Sequence, residues 1–371
     1  MCEPKESSQL KSWIFTPENL ELCRARANRV ARKLLSDPAA NNTPPPVQCF
    51  ARDFDASKYP EDQEEGPLEL KGSPFLNPEE EALIVNFYVS KLPTLMGPQA
   101  QVSRLRRESK IPATAAMLLR RFFLSNSVMM FDPKAIMVAS AFLASKVEDA
   151  MTDIRYLEEG TQRMNAPVTQ AEILPAEIDL LSGINFELLC FHPYKAVLAI
   201  TEDLRTYLKS EQGKSLVHFS DGNQRPITGH DLKPMHDAAQ LIVNDVIVSD
   251  IPMLYTPAQI GLASMVVANE EQQSKPDIPQ IDLKGYLAQR FEEADQKSMT
   301  QLLDNICVML RGLKDGKYGC GNHKVDMQVL KGIHKKLKKC RLWGAKEKKK
   351  KRKKDAAAEG SESDKKRTKT S

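Results

Sequence analysis

The segment from Phe131 to Asp149 reads FDPKAIMVASAFLASKVED, apolar or small at nearly every position from Pro133 to Ser145. The chain writes a second version of it from Tyr255 to Glu271, YTPAQIGLASMVVANEE. Setting Asp132-Pro133 on Thr256-Pro257 gives an ungapped offset of 124, at which Pro133/Pro257, Ile136/Ile260, Ala139/Ala263, Ser140/Ser264 and Ala144/Ala268 are identical. A helix that is apolar on every side has no face to offer water and must be enclosed by other helices. Small residues at 139, 140 and 144 would let those neighbours come close. Each copy is therefore expected to be the central rod of its own bundle, with two related helical domains in tandem. The endings differ, because Glu270 stands in the second copy where Lys146 stands in the first.

Helix starts agree with this reading. Asn77-Pro78-Glu79-Glu80 puts Asn at the N-cap, Pro at the first helical position and Glu at the third, a capping box. Thr16-Pro17, Asp132-Pro133 and Thr256-Pro257 repeat the cap-then-proline pattern, and Thr169 with Glu172 makes another box. Each cap oxygen accepts from an amide without a helical partner, and each proline gives up an amide that had none. Helices are predicted over 17–35, 78–95, 112–124, 133–146, 170–181, 194–208, 233–248, 257–269, 282–291, 298–313 and about 324–342. Three stretches are poor candidates for packed structure: Asp37–Gly66 with Pro44-Pro45-Pro46 and an acidic cluster, the polar Ser210–Asp231, and the charged Lys346–Ser371. The expected fold class is all-α.

Charge is segregated. Of 53 Lys/Arg and 49 Asp/Glu, Lys346–Ser371 holds 12 and 5, so the preceding 345 residues carry 41 basic and 44 acidic side chains. A nucleic-acid-binding body concentrates positive charge on its folded surface; this body is mildly acidic. Seven cysteines lie singly with no C-x-x-C, a pattern of reduced thiols rather than a disulfide framework. The opening MCEPKESSQLKSW lacks the apolar core of a secretory signal. No apolar run approaches the ~20 residues of a membrane helix. A soluble intracellular protein is expected, without membrane contact or direct nucleic-acid binding by the body.

With these motifs in hand, the chain resembles the cyclin family. FDPKAIMVASAFLASKVED looks like the third helix of a cyclin box, IPATAAMLLRRFFLSNSVM (111–129) like the helix before it, and LLSGINFELLCFHPYKAVLAITEDL (180–204) like the junction of two boxes. SWIFTPENLELCRARANRVARKLL (12–35) and MLYTPAQIGLAS (253–264) are similar to segments of the cyclin H group. The resemblance covers about Ser12–Leu35 and Phe75–Trp343. It implies two five-helix bundles with flanking helices: an N-terminal segment 1–36, a disordered or irregular insert 37–74, a kinase-binding first box 75–191, a second box 192–315 with a polar insert 210–231, a C-terminal helix 316–345 and a basic disordered tail 346–371. It also implies a regulatory subunit that activates a cyclin-dependent kinase, with a RING-finger assembly factor and the TFIIH core as further partners. The linked activity would be phosphorylation of the RNA polymerase II tail and of kinase T-loops. Other transcriptional cyclins, of C, K, L or T type, are the nearest alternative. A TFIIB-like factor holding DNA would need a cysteine-paired zinc ribbon and basic boxes, which this chain lacks.

By the same resemblance, Lys146 is the kinase-contacting lysine, Glu177, nine residues before Phe186, is its partner, and Val147 is a further kinase-binding residue. An ammonium offers three donors to backbone carbonyls of an approaching helix, and a carboxylate fixes its position. Taken as a bare surface pair, the same two residues would add under about 1 kcal/mol to the fold. Two departures bear on the pair: Ser145 replaces the cysteine common before the lysine, and Pro175 inside the fifth helix, two residues from Glu177, threatens a kink. Trp13 and Phe15 are expected to anchor the first helix on the body. Lys346, Lys348, Lys349, Lys350, Lys351, Arg352, Lys353 and Lys354 read by composition as a nuclear-import signal or a polyanion-binding arm, and nuclear import is expected. Ser361 and Ser363, beside acids, are candidate phosphorylation positions. Cys320 and His323 with His334 and Cys340 are too loosely spaced for structural zinc, so no metal is expected. No cofactor is expected either, and neither a nucleophile triad, a Walker loop nor GxGxxG points to enzymatic chemistry.

Overall fold

Caps and prolines open the helices where the sequence places them. The computed structural model describes residues 7–37, 44–60, 74–219, 225–272, 278–291, 296–314 and 326–343. Helix α1 is Pro17–Ser36, with Thr16 Oγ1 accepting from the Asn19 amide at 3.2 Å. The first bundle holds α2 (Pro78–Val89), α3 (Lys110–Ser125), α4 (Pro133–Val147), α5 (Ile154–Arg163) and α6 (Gln170–Gly183). The second holds α7 (Pro193–Tyr207), α8 (Gly229–Val246), α9 (Pro257–Gln272), α10 (Leu283–Arg290) and α11 (Gln296–Lys314). Helix α12 (Met327–Cys340) returns to the first bundle, where Lys336 pairs with Glu80 at 2.7 Å and the Trp343 indole donates to the Val128 carbonyl at 2.8 Å.

The two copies of the repeated segment are the rods they were expected to be. In α4, Ala139, Ser140 and Ala144 are fully buried; in α9 so are Ala263, Ser264 and Ala268. Each buried serine donates to a carbonyl of its own helix, Ser140 to Met137 at 2.7 Å and Ser264 to Ile260 at 2.8 Å, so neither hydroxyl is left orphaned. Close approach has a second device in α9: a Cβ at Gly261 would lie 2.7 Å from that of Ala196 on α7.

Three helices of the first bundle stop in the same way. Asp149, Asn165 and Asn185 adopt left-handed backbone, with φ of 52°, 55° and 52°. The following amides reach back, Ala150 to Ser145 at 2.9 Å, Ala166 to Thr161 at 2.9 Å and Phe186 to Leu181 at 2.9 Å, the Schellman arrangement. Asp and Asn tolerate this conformation where other side chains pay a steric penalty of about 1–2 kcal/mol. Asn165→Val is therefore expected to lower stability by about 1–2 kcal/mol and Asn165→Gly to change it little. Urea midpoints check this; equal midpoints for Val and Asn would refute the strain argument.

Several expectations need correction. The predicted helix 78–95 breaks after Val89 and resumes as a short turn over Leu92–Met96, because Pro93 has no amide to give the Val89 carbonyl. Helix α5 was not anticipated: its buried stripe is only Leu157, Gly160 and Thr161 in a polar sequence. Gly160 lies so close to Leu95 and Leu105 that a Cβ would come within 2.9 Å of both. The described part of Asp37–Gly66 is irregular but packed. Gln48 and Asn126 exchange two 2.9 Å hydrogen bonds, the Ala51 amide donates to Ser125 Oγ at 2.8 Å, and the Arg26 guanidinium lies 3.6 Å from the Tyr59 ring centroid. Side-chain amides and an aromatic–cation stack supply there what apolar patterning does not. Within Ser210–Asp231, Leu216 and Ile227 are buried, and Val217–His218 pairs antiparallel with Gln280–Ile281. Among the described residues this two-residue ribbon is the strand content of an otherwise all-α fold.

A second core joins the bundles. Trp13, Phe15, Leu20, Cys23, Ala51, Met117, Leu124 and Met253 pack together, drawing on the N-terminal segment, α3 and the α8–α9 connection. Trp13 is fully buried and its indole donates to Glu187 Oε2 at 2.6 Å, so both residues read as anchors, Trp13 and Phe15, lie inside it. Neighbouring arginines of α3 divide the junction between them. Arg121 donates to the carbonyls of Glu187 (2.9 Å) and Leu189 (3.2 Å) in the inter-bundle linker. Arg120, 3% exposed, donates to the Val248 carbonyl at 2.6 Å and to Asp250, which also holds Arg24 of α1 at 2.8 Å. Burial pushes the Asp250 carboxyl up, but the Arg24 and Arg120 guanidiniums outweigh it and its pKa is lowered.

Candidate functional site

Helix α4 carries Lys146 to its last turn and α6 carries Glu177 to meet it. Lys146 Nζ donates to Glu177 Oε1 at 2.6 Å and lies 3.9 Å from the centroid of the Phe142 ring, one turn earlier on α4. The lysine side chain is 36% exposed and the carboxylate 12%. The arrangement is a clasp with a buried acceptor and a half-open cation. Glu177 takes one of three ammonium donors, and the ring attracts the charge without using a donor. The remaining donors are available to carbonyls of an incoming chain. Val147, the last helical residue, is half-buried, packed in part against the main core.

Pro175 does not spoil the aim of Glu177. Helix α6 runs unbroken from Gln170 to Gly183, and the proline deprives only the Ala171 carbonyl, on an exposed part of the helix. The outer face of α6 carries what sequence reading overlooked: Leu174 is 50% exposed and Ile178 66%, one turn apart on either side of Glu177. Met151, just past the end of α4, is 73% exposed. These apolar side chains are left in water on the helix and the turn that carry the ion pair. A helix read only for its buried stripe gives no reason to look at its opposite face.

The second bundle keeps the geometry and reverses the charges. At the end of α9, Glu270 pairs with Arg311 of α11, both largely exposed. An acid thus occupies the position of Lys146, and the basic partner is supplied by the bundle's fifth helix. Elsewhere, Lys346 to Lys354, Ser361, Ser363, Cys320 and His323 lie outside the described residues. His334 and Cys340 sit on α12, where His334 Nδ1 is 3.0 Å from the Leu330 carbonyl and Cys340 Sγ faces the Leu337 carbonyl. Among the described residues no three His, Cys, Asp or Glu side chains converge as a metal site would require, and no helix is long and apolar enough to cross a membrane.

Comparison with known proteins agrees with this architecture. The cyclin N-terminal domain model matches residues 100–189 and the cyclin C-terminal domain model residues 192–341. Cyclin-H1-1 of Arabidopsis thaliana is 27% identical over 351 residues, 92% of this chain and 89% of that protein. Cyclin CCL1 of Saccharomyces cerevisiae is 28% identical over 266 residues, 72% of this chain and 58% of the yeast protein. Among solved structures, a chain of the CAK complex from Chaetomium thermophilum bound to ATP-gamma-S matches with a TM-score of 0.65 at 22% identity, covering 95% of this chain and 94% of that one. A chain of yeast TFIIK (Kin28/Ccl1/Tfb3) matches at 0.55 and 21%, covering 82% and 99%. With two cyclin domains in order, two five-helix bundles around a repeated rod and the clasp on the first of them, the chain belongs to the cyclin family.

Proposed function

We propose that this chain is a cyclin H-like regulatory subunit that binds a cyclin-dependent kinase and activates it, contributing no catalytic group of its own. The observation that carries the reading is the half-open Lys146–Glu177 clasp set among exposed Leu174 and Ile178. Phosphoryl transfer by a protein kinase needs its Lys–Glu ion pair and its metal-binding Asp in place, and the position of the kinase's regulatory helix controls both. A subunit that binds the active arrangement more tightly shifts the kinase toward it by that difference in affinity.

Magnitudes say which contacts matter. Moving a two-state kinase from 1:99 to 99:1 takes about 5.5 kcal/mol of differential binding. One charge-assisted hydrogen bond from Lys146 supplies about 1.5–3 kcal/mol, and burying an exposed Leu or Ile another 1.5–3 kcal/mol each. The clasp sets register and orientation, and the apolar rim provides most of the affinity.

The names of the relatives support membership of a CDK-activating kinase complex. We extend the proposal to the RING-finger assembly factor, the TFIIH core, and phosphorylation of the RNA polymerase II tail and of kinase T-loops. Purifying the full chain from nuclear extract, identifying the bound kinase and measuring phosphorylation of a polymerase-tail peptide tests the reading. A stoichiometric kinase whose rate rises with added chain is expected; no kinase, or no rise, overturns it.

The basic run Lys346–Lys354 is proposed as the import signal of a nuclear protein. Deleting 346–371 is expected to abolish nuclear accumulation of a fluorescent fusion, and unchanged nuclear entry would refute that assignment.

A further inference from the structure

The second box lacks a counterpart of Lys146, yet it is wired to the residue two positions beyond it. Thr114 Oγ1, fully buried on α3, donates to Glu148 Oε1 at 2.6 Å and lies 2.7 Å from His192 Nε2. His192 is the N-cap residue of α7, the first helix of the second box. The proton positions follow from the chemistry. A carboxylate only accepts, so the hydroxyl spends its one proton on Glu148, and its oxygen then accepts from His192, whose proton must sit on Nε2. Burial, assisted by the cations Arg121, Lys110 and Lys195, pushes the His192 pKa down to about 3, so the ring is neutral and serves as a single donor.

What this chain of bonds holds is the end of α4. Glu148 is its C-cap, and the Schellman turn beyond it bonds the Asp149 amide to the Lys146 carbonyl (3.3 Å) and the Ala150 amide to Ser145 (2.9 Å). That turn passes through a left-handed Asp149, a conformation Asp tolerates but does not favour, so the contacts on either side of it help decide whether it holds. Arg107, donating to the Ala150 carbonyl at 3.2 Å, holds the far side. Glu148, which Lys110 Nζ also approaches at 3.8 Å, is the near-side anchor, and loosening its hold through Thr114 lets the last turn fray with Lys146 on it.

We infer that His192 and Thr114 are positioning residues for the kinase-binding clasp: the second box holds Glu148 through them, fixes the end of α4, and so contributes to activation without touching the kinase. This rests on the clasp reading of Lys146 and Glu177 and deepens it.

The test uses the full chain with the kinase recovered alongside it, and four variants in two pairs. Thr114→Val and His192→Ala break the relay; Thr114→Ser and His192→Gln keep a hydroxyl and an N–H donor. At saturating cyclin, the breaking variants are expected to lower kinase turnover about tenfold, the equivalent of one hydrogen bond to a charged group. The conservative variants should restore most of it. In the kinase-free chain, amide exchange at Asp149 and Ala150 should quicken in the breaking variants while the amides of α9 stay protected. The pairs sit in different boxes, so misfolding of Thr114→Val leaves the His192 pair decisive. Wild-type turnover and exchange in folded breaking variants would overturn the inference, as would equal loss in the conservative pair. Wild-type turnover from Lys146→Ala would instead remove the clasp reading itself.

Discussion

Lys146→Ala is expected to give a folded chain that fails to activate its kinase. The fold loses little, because the pair is part-exposed and such pairs contribute under about 1 kcal/mol once solvent screens them. The interface loses much more. Without Lys146, the Glu177 carboxylate, 12% exposed before binding, would be covered by the partner with no cation beside it. Leaving one member of a covered ion pair alone costs about 3–5 kcal/mol, most of the ~5.5 kcal/mol that full activation needs. Glu177→Lys should be worse, placing two ammonium groups where one carboxylate stood. The measurement is kinase turnover as each variant is titrated, beside a thermal melt of the free chain. Normal activation by either variant would end the assignment. The charge-reversed site at Glu270 and Arg311 makes a control: in a Lys146→Ala chain, Glu270→Lys should restore nothing, since the new ammonium would face Arg311 and find no carboxylate to hold it.

Asp250→Ala is expected to cost about 3–5 kcal/mol of stability, the penalty for leaving a buried charge uncompensated. Arg120 is 3% exposed and would lose the carboxylate that neutralises it, while Arg24 would lose its tie from α1 to the second box. Chemical denaturation of wild type and variant reads this directly, and a loss below about 1 kcal/mol would show the cluster to be incidental. The pH dependence has a definite sign. The folded-state pKa of Asp250 is lowered, so its contribution is fully present above the unfolded value of about 3.9 and disappears as pH falls through the folded value. The gap between wild type and Asp250→Asn should therefore narrow on acidification below about pH 4. A gap that widened there would contradict the ion-triad account.

The two rods were legible because a helix buried on all sides has few permitted residues. Ala139, Ser140 and Ala144 recur at 263, 264 and 268 for the same steric reason, and they end fully buried in both copies. Lys146 and Glu177 were legible only through family resemblance, since no periodicity distinguishes a clasp from an ordinary surface pair. Arg120 and Arg121 sit in a helix that is otherwise apolar. Two adjacent cations among LLRRFF are the signal, because buried charge demands a partner, but nothing local names Asp250, 130 residues away. Residues 44–60 hide their packing in sequence for a related reason. Their packing rests on Asn126, Ser125 and Arg26, polar groups that a count of apolar residues does not register.

The junction core has a consequence for how the chain is made. Gln9 binds Phe191 across 182 residues and Arg24 binds Asp250 across 226, so a segment translated before both boxes is among the last to find its place. Domains generally complete themselves in order during synthesis, at about 5–20 residues per second. Here Trp13 stays without part of its socket until Met253 has been translated, many seconds later. For that interval the Trp13 ring is open to chaperones, and the first box emerges behind a strap that has nothing yet in the second box to fasten to.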